Sequence, residues 1–269
     1  MMFWLLGRLR PSTPTRNEHT KGEGAGATIA SLRLRSILPR GLRSRLDLHR
    51  TAVSRFVERS AADVPAGTRV LDAGAGEGPY RARFAHARYV ALDDRRGDAR
   101  WDYGGLDFVG DLLRMPVKDA AFDAVLCTET LEHVADPEPF LRETARVLRA
   151  GGTLFLTAPL QFKEHQEPHD YFRYTRHGLA LLLGRAGFVG AKVEPEGGYF
   201  RFLGDKIQPA HRMLFRKDRA LVWKILFLPL NPVSMLFFTV FAPAVCALLD
   251  PLDRERRHTT GFLVTAVKP

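Results

Sequence analysis

A chain of 269 residues with 45% hydrophobic and 26% charged residues is long enough to bury a sizeable core, and it is too apolar to be disordered throughout. Two cysteines cannot build a disulfide framework, which points to a reducing compartment. The net charge of +10 is uneven: residues 1–60 hold 12 Lys and Arg against 4 Asp and Glu, residues 61–200 hold 17 against 21, and residues 201–269 hold 11 against 5. An acidic centre with basic flanks excludes the basic face of a nucleic-acid binder. Beside apolar sequence, such flanks suit an anionic membrane surface.

Residues 1–41 read as a basic, largely disordered arm: Met1 to Gly7 is apolar but too short for a signal peptide, and Pro11 to Ala27 is rich in Pro, Thr, Gly and charge. Leu42, Leu46, His49, Val53 and Phe56 recur at helical spacing, and the helix should cover a sheet. A strand, Arg69–Ala73, runs into Gly74-x-Gly76-x-Gly78, where missing Cβ atoms let backbone N–H groups approach a ligand. A helix is expected from Pro79. A second strand, Arg88–Leu92, ends at Asp93 and Asp94, and a carboxylate there can accept both hydroxyls of a ribose.

Phe108–Asp111 reads as a short third strand, and Phe122–Cys127 as a fourth, buried on both faces. A helix over Pro137–Leu148 is expected to stop at Gly151-Gly152. Strand Thr153–Ala158, helix Thr175–Gly187, strand Phe188–Val193 and a last strand, Gly261–Val267, complete the pattern. This alternation predicts an α/β, Rossmann-like, doubly wound and mostly parallel seven-stranded sheet, with helices on both faces and an apolar helical insertion before the last strand. The main domain is expected over residues 42–210 plus 259–269, and the insertion over 211–258.

The string Leu71-Asp72-Ala73-Gly74-Ala75-Gly76-Glu77-Gly78 resembles motif I of the class I S-adenosylmethionine-dependent methyltransferases. Phe122 to Val134, FDAVLCTETLEHV, is similar to their FDxVxxxxxLEH segment. Arg146 to Gly152 is similar to their RxLKPGG turn, with Arg149-Ala150 where Lys-Pro is usual. The resemblance, of the type 11 kind, covers residues 68–195 and the final strand. It implies S-adenosyl-L-methionine as cofactor, with Asp72, Gly74, Gly76 and Gly78 at the methionyl end. Asp93 would take the ribose, with Asp94 as the near alternative. Asp111 and Leu112 would meet the adenine amino group, and Thr128 with Glu129 would lie near the transferring methyl. In such segments His133 orients the loop after the fourth strand rather than doing chemistry, and Glu132 is structural or solvated.

Gln161 to Thr175 follows the fifth strand, where a crevice opens at the carboxyl ends of parallel strands. A hydroxyl acceptor must lose its proton, and His169 and His165 are candidate bases with Asp170 and Glu167 as orienters. Tyr171, Arg173 and Tyr174 could bind a sugar or an acidic group. The competing reading is that this segment only caps the cofactor. A metal on the His165 and His169 pair, with Asp170, is opposed by Pro168, which spoils helical presentation, and no further ligand is evident; no metal is expected. The segment resembles an H-x-x-P-x-D-Y-x-R-Y-T stretch of methyltransferases in cell-surface glycan and lipopolysaccharide biosynthesis. That resemblance implies O-methylation of a glycan or lipid-linked saccharide. A quinone or lipid methyltransferase, and a catalytically idle cofactor-fold partner protein, are the alternatives.

Ile225 to Leu249 is 25 residues without a charge. Arg212, Arg216, Lys217, Arg219 and Lys224 precede it; Arg254, Arg256 and Arg257 follow. Pro229, Pro232 and Pro243 are expected to break its helix into pieces. A chain that returns to its own sheet cannot cross a bilayer once. The expectation is therefore a helical hairpin on or in one leaflet, with the protein peripheral on the cytoplasmic face of a membrane. A homodimer interface or a pocket cover is the soluble alternative.

Overall fold

A computed structural model describes residues 48–98, 100–215 and 230–269. The expected arm over 1–41, the start of the first helix and Pro229 lie outside the described residues. Helix α1, Leu48–Asp63, precedes β1, Arg69–Ala73. Then come β2 (Arg88–Asp93), β3 (Phe108–Val109) and β4 (Phe122–Thr128). Helix α2 (Pro137–Val147) leads into β5 (Leu148–Pro159), and α3 (Arg176–Arg185) into β6 (Val189–Pro195). Helices α4 (Tyr199–Ile207), α5 (Ala210–Leu214), α6 (Leu230–Leu236) and α7 (Ala242–Leu249) fill the interval before β7, Gly261–Val267.

The seven strands form one sheet in the order β3-β2-β1-β4-β5-β7-β6. Only β7 runs antiparallel, against both β5 and β6. The expected doubly wound sheet and the apolar helix before its last strand are both present. Strand alternation sorts the core: Val125 and Cys127 pack with Phe140 and Leu141 of α2 and Leu179 and Leu183 of α3. Ala124 and Leu126 point the other way, towards Val53, Phe56 and Val57 of α1. The order reverses between β1 and β4, so the chain diverges at their carboxyl ends and leaves a crevice there.

Three local expectations fail for physical reasons. No α-helix follows the glycine turn; Arg81–Phe84 is a single 3-10 turn. Residues 74–87 must return the chain along the length of β1, roughly 16.5 Å, and the stretch left after the glycine turn would reach only about 13.5 Å as a helix. The Gly151-Gly152 pair does not stop α2, which ends at Val147. It lies inside β5, at the bulge where the register with β4 shifts between Phe122 and Ala124, and Gly151 takes φ +72°. Pro232 and Pro243 do not break the insertion, because a helical run of 23 residues extends from Leu230 to Leu252. Pro232 falls in the first turn, where its missing N–H has no partner to lose. Pro243 follows a π-turn over Phe237–Phe241, which absorbs the interruption.

The apolar run is anchored by its C-terminal end. The Asp250 carboxylate accepts the N–H of Gly198 at 3.0 Å and of Arg201 at 2.8 Å, which caps α4. Helix α7 packs on α4, so the expected insertion over 211–258 leans on a helix that lies before it in the chain. Pro195 pairs with Phe262, so the chain leaves and rejoins the sheet at the same end. Phe140 is fully buried between α2 and the sheet. Phe140→Ala should lower the unfolding free energy by about 3–5 kcal/mol, measured by chemical denaturation.

Candidate functional site

The carboxyl ends of β1 and β2 carry the first half of the site. Gly74, Gly76 and Gly78 take φ of +84°, +54° and +67°, a region open to glycine and strained for other residues. The N–H groups of Gly74 and Ala75 donate to the Leu92 carbonyl at 2.8 and 3.1 Å, tying the turn to β2. A Cβ on Gly74 would lie 2.3 Å from the Thr130 methyl, so the β1 and β4 turns touch without a side chain between them. Trp101 lies against Gly76, where a Cβ would come within 3.1 Å of its ring.

Asp72 is buried, and one carboxylate oxygen accepts the Tyr89 hydroxyl. Its Oδ1 has no hydrogen-bond partner among the described residues. Burial pushes its pKa up to about 7, and the nearby Asp93 adds to that rise against the pull of Tyr89 and Arg81. Asp93 accepts the N–H of Gly76 at 2.9 Å and of Arg95 at 2.6 Å. Expected as a ribose ligand, it braces the glycine turn, whose N–H groups have no helix behind them. Asp111 accepts the Leu113 N–H at 2.8 Å just beyond β3, and Leu112 is buried beside it. Thr128 ends β4 opposite Thr157. Asp72, the glycine turn, Asp93 and Thr128 are thus brought to one edge of the sheet, and an unpartnered buried carboxylate oxygen beside a positive-φ turn fits a polar, cationic ligand end.

The second half lies at the ends of β4 and β5. Glu129, at φ +49°, accepts the Thr157 hydroxyl at 2.8 Å and meets His49 Nε2 at 3.0 Å. The other ring nitrogen of His49 lies 2.7 Å from Glu196, which also accepts the Thr260 hydroxyl at 2.8 Å. Burial works against a charged His49, but the two carboxylates outweigh it and raise its pKa well above the ordinary range. Burial also raises Glu196, whereas in Glu129 it is overcome by His49 and Thr157, and the pKa falls. The Glu129–His49 pair is therefore ionic. Sequence reasoning missed His49 and Glu196. The only signal was a lone histidine on an otherwise apolar helix face and an acid between Pro195 and Gly197.

The expected acceptor residues divide. Arg173 donates two hydrogen bonds to Asp170, at 2.6 and 2.7 Å, and others to the Phe162 and Lys163 carbonyls. Tyr174 is buried, with its hydroxyl donating to the Leu131 carbonyl at 2.9 Å. These two side chains, expected to bind the acceptor, build the segment instead: the chain turns back across Asp170 and against β4, and they satisfy the polar groups that this exposes. Tyr171 is exposed, and its hydroxyl meets His169 Nδ1 at 2.9 Å. His165 is held through both ring nitrogens, Nε2 lying 3.1 Å from His133 and Nδ1 3.2 Å from the Lys163 carbonyl. His133 Nδ1 donates to the His169 carbonyl at 2.5 Å, in keeping with an orienting role.

With this geometry in place, comparison with known proteins is informative. A family described as a methyltransferase domain matches residues 71–156. The chain is 35% identical over 120 residues to 27-O-demethylrifamycin SV methyltransferase of Amycolatopsis mediterranei, 39% of this chain and 44% of the relative. It is 36% identical over 121 residues to the fatty-acid O-methyltransferase of Mycolicibacterium smegmatis (41% and 44%). It is 36% identical over 124 residues to the ubiquinone biosynthesis O-methyltransferase of Xanthomonas axonopodis (41% and 51%). The chain thus spans about half the length of the curated relatives it matches. Among solved structures, the cyclase SpnF superposes with a TM-score of 0.51 at 21% identity, over 80% of this chain and 81% of SpnF. A SAM-dependent methyltransferase of Archaeoglobus fulgidus superposes with a TM-score of 0.50 at 16% identity, over 80% and 93%. Residues 71–156 thus match a methyltransferase domain, and the sheet has the fold of these two solved structures.

Two predictions follow from the first half of the site. Gly74→Ala should unfold at a markedly lower temperature, because it meets both Thr130 and an unfavourable φ. Asp72 holds its proton more tightly folded than unfolded. Its stabilising contribution is full below the ordinary carboxylate range and is lost as pH rises through about 7. The melting temperature should fall from pH ~5 to ~8, and Asp72→Asn should reduce that fall. Glu132 and Glu196, also raised by burial, leave a residual slope.

Proposed function

We propose that the protein transfers a methyl group from S-adenosyl-L-methionine to a hydroxyl of a lipid or lipid-linked acceptor. The observation that carries this reading is the unpartnered Asp72 carboxylate oxygen beside the positive-φ glycine turn, at the carboxyl edge of the matched domain. When bound there, the cofactor supplies an electrophilic methyl on a sulfonium. Asp72 and the glycine turn would hold its methionyl end, Asp93 or Asp94 its ribose, and Asp111 with Leu112 its adenine. Glu129 offers negative charge to a cationic ligand, and Asp72, whose pKa burial raises to about 7, would give up its proton beside one. In-line transfer demands alignment more than activation, and alignment supplies several kcal/mol.

Of the two candidate bases, His169 is favoured, because both nitrogens of His165 are engaged within the loop. His169 would take the acceptor proton, with Tyr171 holding the other ring nitrogen. Two relatives are named as O-methyltransferases, one of a fatty acid and one of ubiquinone biosynthesis, which supports a hydroxyl or carboxyl acceptor with an apolar body. The polar, aromatic segment over 161–175 supports a hydroxylated, saccharide-like head. The apolar helical run supports peripheral contact with a membrane: Val233, Leu236, Phe241 and Leu248 are all more than half exposed.

Transfer of labelled methyl from S-adenosyl-L-methionine into lipid extracts or lipid-linked saccharides tests the reaction. His169→Ala should lose roughly 10²-fold or more in turnover yet keep cofactor binding by calorimetry. Cofactor binding with no labelled product from any extract would favour the idle partner protein. For the membrane, the intact protein should sediment with anionic vesicles, and high salt should release it only in part, since apolar burial of about 25 cal/mol per Å² remains. A detergent-free, lipid-free dimer burying this helix would favour the interface reading.

A further inference from the structure

We infer that Glu132, His133 and His165 form a binding site for one divalent first-row transition-metal ion of the zinc type, at the carboxyl ends of β4 and β5. Glu132 and His133 belong to the 3-10 turn Leu131–His133 that follows β4, and His165 to the segment that follows β5. The Nε2 atoms of the two histidines face each other at 3.1 Å. Glu132 Oε1 lies 3.7 Å from the first and 4.0 Å from the second. Donors at about 2.0–2.2 Å around a tetrahedral ion are about 3.4 Å apart, so these three atoms already converge on a common point.

The tautomers make this convergence chemically demanding. A carbonyl oxygen only accepts, so His133 Nδ1 carries the proton that goes to the His169 carbonyl. His165 Nδ1 faces the Lys163 carbonyl at 3.2 Å and the Asp170 carboxylate at 3.4 Å, which are both acceptors, and it too must carry a proton. Two neutral rings therefore turn unprotonated Nε2 lone pairs towards each other. The Glu132 side chain is fully buried, and neither carboxylate oxygen has a hydrogen-bond partner among the described residues. Two facing lone pairs and an unpaired buried carboxylate are relieved together by one cation. The Nδ1–H groups on backbone oxygens are the outer-shell contacts that orient metal-binding histidines. The Gln166 side-chain amide N–H donates to His133 Nε2 at 3.1 Å, and an ion would need that amide turned over, which would bring its carbonyl oxygen to the site as a fourth donor.

The other histidine and carboxylate cluster makes an instructive contrast. In His49, Glu129 and Glu196 the carboxylates sit on opposite ring nitrogens, at 3.0 and 2.7 Å. No lone pair is left for an ion, and the imidazolium itself is the cation. In the Glu132 cluster an ion would fasten the acceptor segment to the turn after β4, whatever acceptor the segment receives.

The test uses full-length protein without a histidine tag, freed of metal with a chelator. Titration with Co²⁺ should give one equivalent bound, with the intense visible bands of a four-coordinate site, and Zn²⁺ should displace it. Glu132→Gln and the double variant His133→Ala/His165→Ala should each lose affinity by at least the roughly tenfold that loss of an outer-shell partner costs. Should the variants fold poorly by circular dichroism, imidazole nitrogen NMR of the wild type decides: Zn²⁺ should move two Nε2 resonances among the histidines. Absence of stoichiometric binding, only the weak bands of six-coordinate Co²⁺, unchanged affinity in both variants, or no shifted Nε2 resonance would overturn the site. None of these readouts depends on methyl transfer.

Discussion

The contact of Thr130 with Gly74 is the constraint on which the site depends. It joins the turn after β1 to the turn after β4 at the point where the strand order reverses. The chain leaves β1 for one edge of the sheet and β4 for the other, and a Cβ on Gly74 would hold the two turns apart. The single Thr130 hydroxyl proton is shared between the Gly74 carbonyl at 3.3 Å and the Thr128 carbonyl at 3.1 Å. The contact fixes the Asp72 edge relative to the Glu129 edge, and so the two halves of the crevice relative to each other.

Around that contact the sheet gathers buried acids. Asp72, Asp93, Glu132 and Glu196 are all less than a tenth exposed, and Glu129 stands beside them. Each carboxylate taken from water alone is costly, and together they repel. The fold answers with one imidazolium from α1, with hydroxyls from Tyr89, Thr157 and Thr260, and with backbone N–H groups at Asp93. What is left over at one edge is Asp72 and Glu132, whose unpartnered oxygens burial drives towards the protonated form until a cation takes the proton's place. Such an edge favours cations, a sulfonium at one end and a metal ion at the other.

The apolar helical run obeys a different constraint. Its C-terminal end is held by Asp250 at the start of α4, while Leu230, Val233, Leu236 and Phe237 project from the body. An apolar surface of this kind is expensive in water, and its cost is removed by lipid or by a second protein surface. Because β6 and β7 pair as neighbours, whatever the run enters, it does so from one side.

The sheet was legible in the sequence because its central strands β1, β4, β5 and β7 bury most of their residues and so read as apolar runs, from Val70-Leu71 to Val125-Leu126-Cys127, whereas the edge strands β3 and β6 are largely exposed. β1 and β7 have the bounds read from the sequence, Arg69–Ala73 and Gly261–Val267. The glycine turn was legible because only glycine tolerates its dihedral angles. Turns governed by distance rather than by composition were not: the lost helix after Pro79 reflects how far residues 74–87 must reach, and the π-turn before Pro243 reflects local relief of a missing N–H. The sequence by itself therefore determined where each strand falls, the glycine turn and its acids, since these depend on neighbours along the chain. Tertiary structure alone decided that His49, 80 residues from Glu129 and 147 from Glu196, bridges them, and that His133 and His165 face each other across a buried Glu132. It also decided that Arg173 and Tyr174 serve the loop. Partnerships between buried charges depend on which strand ends the fold brings together, and no spacing along the chain encodes that.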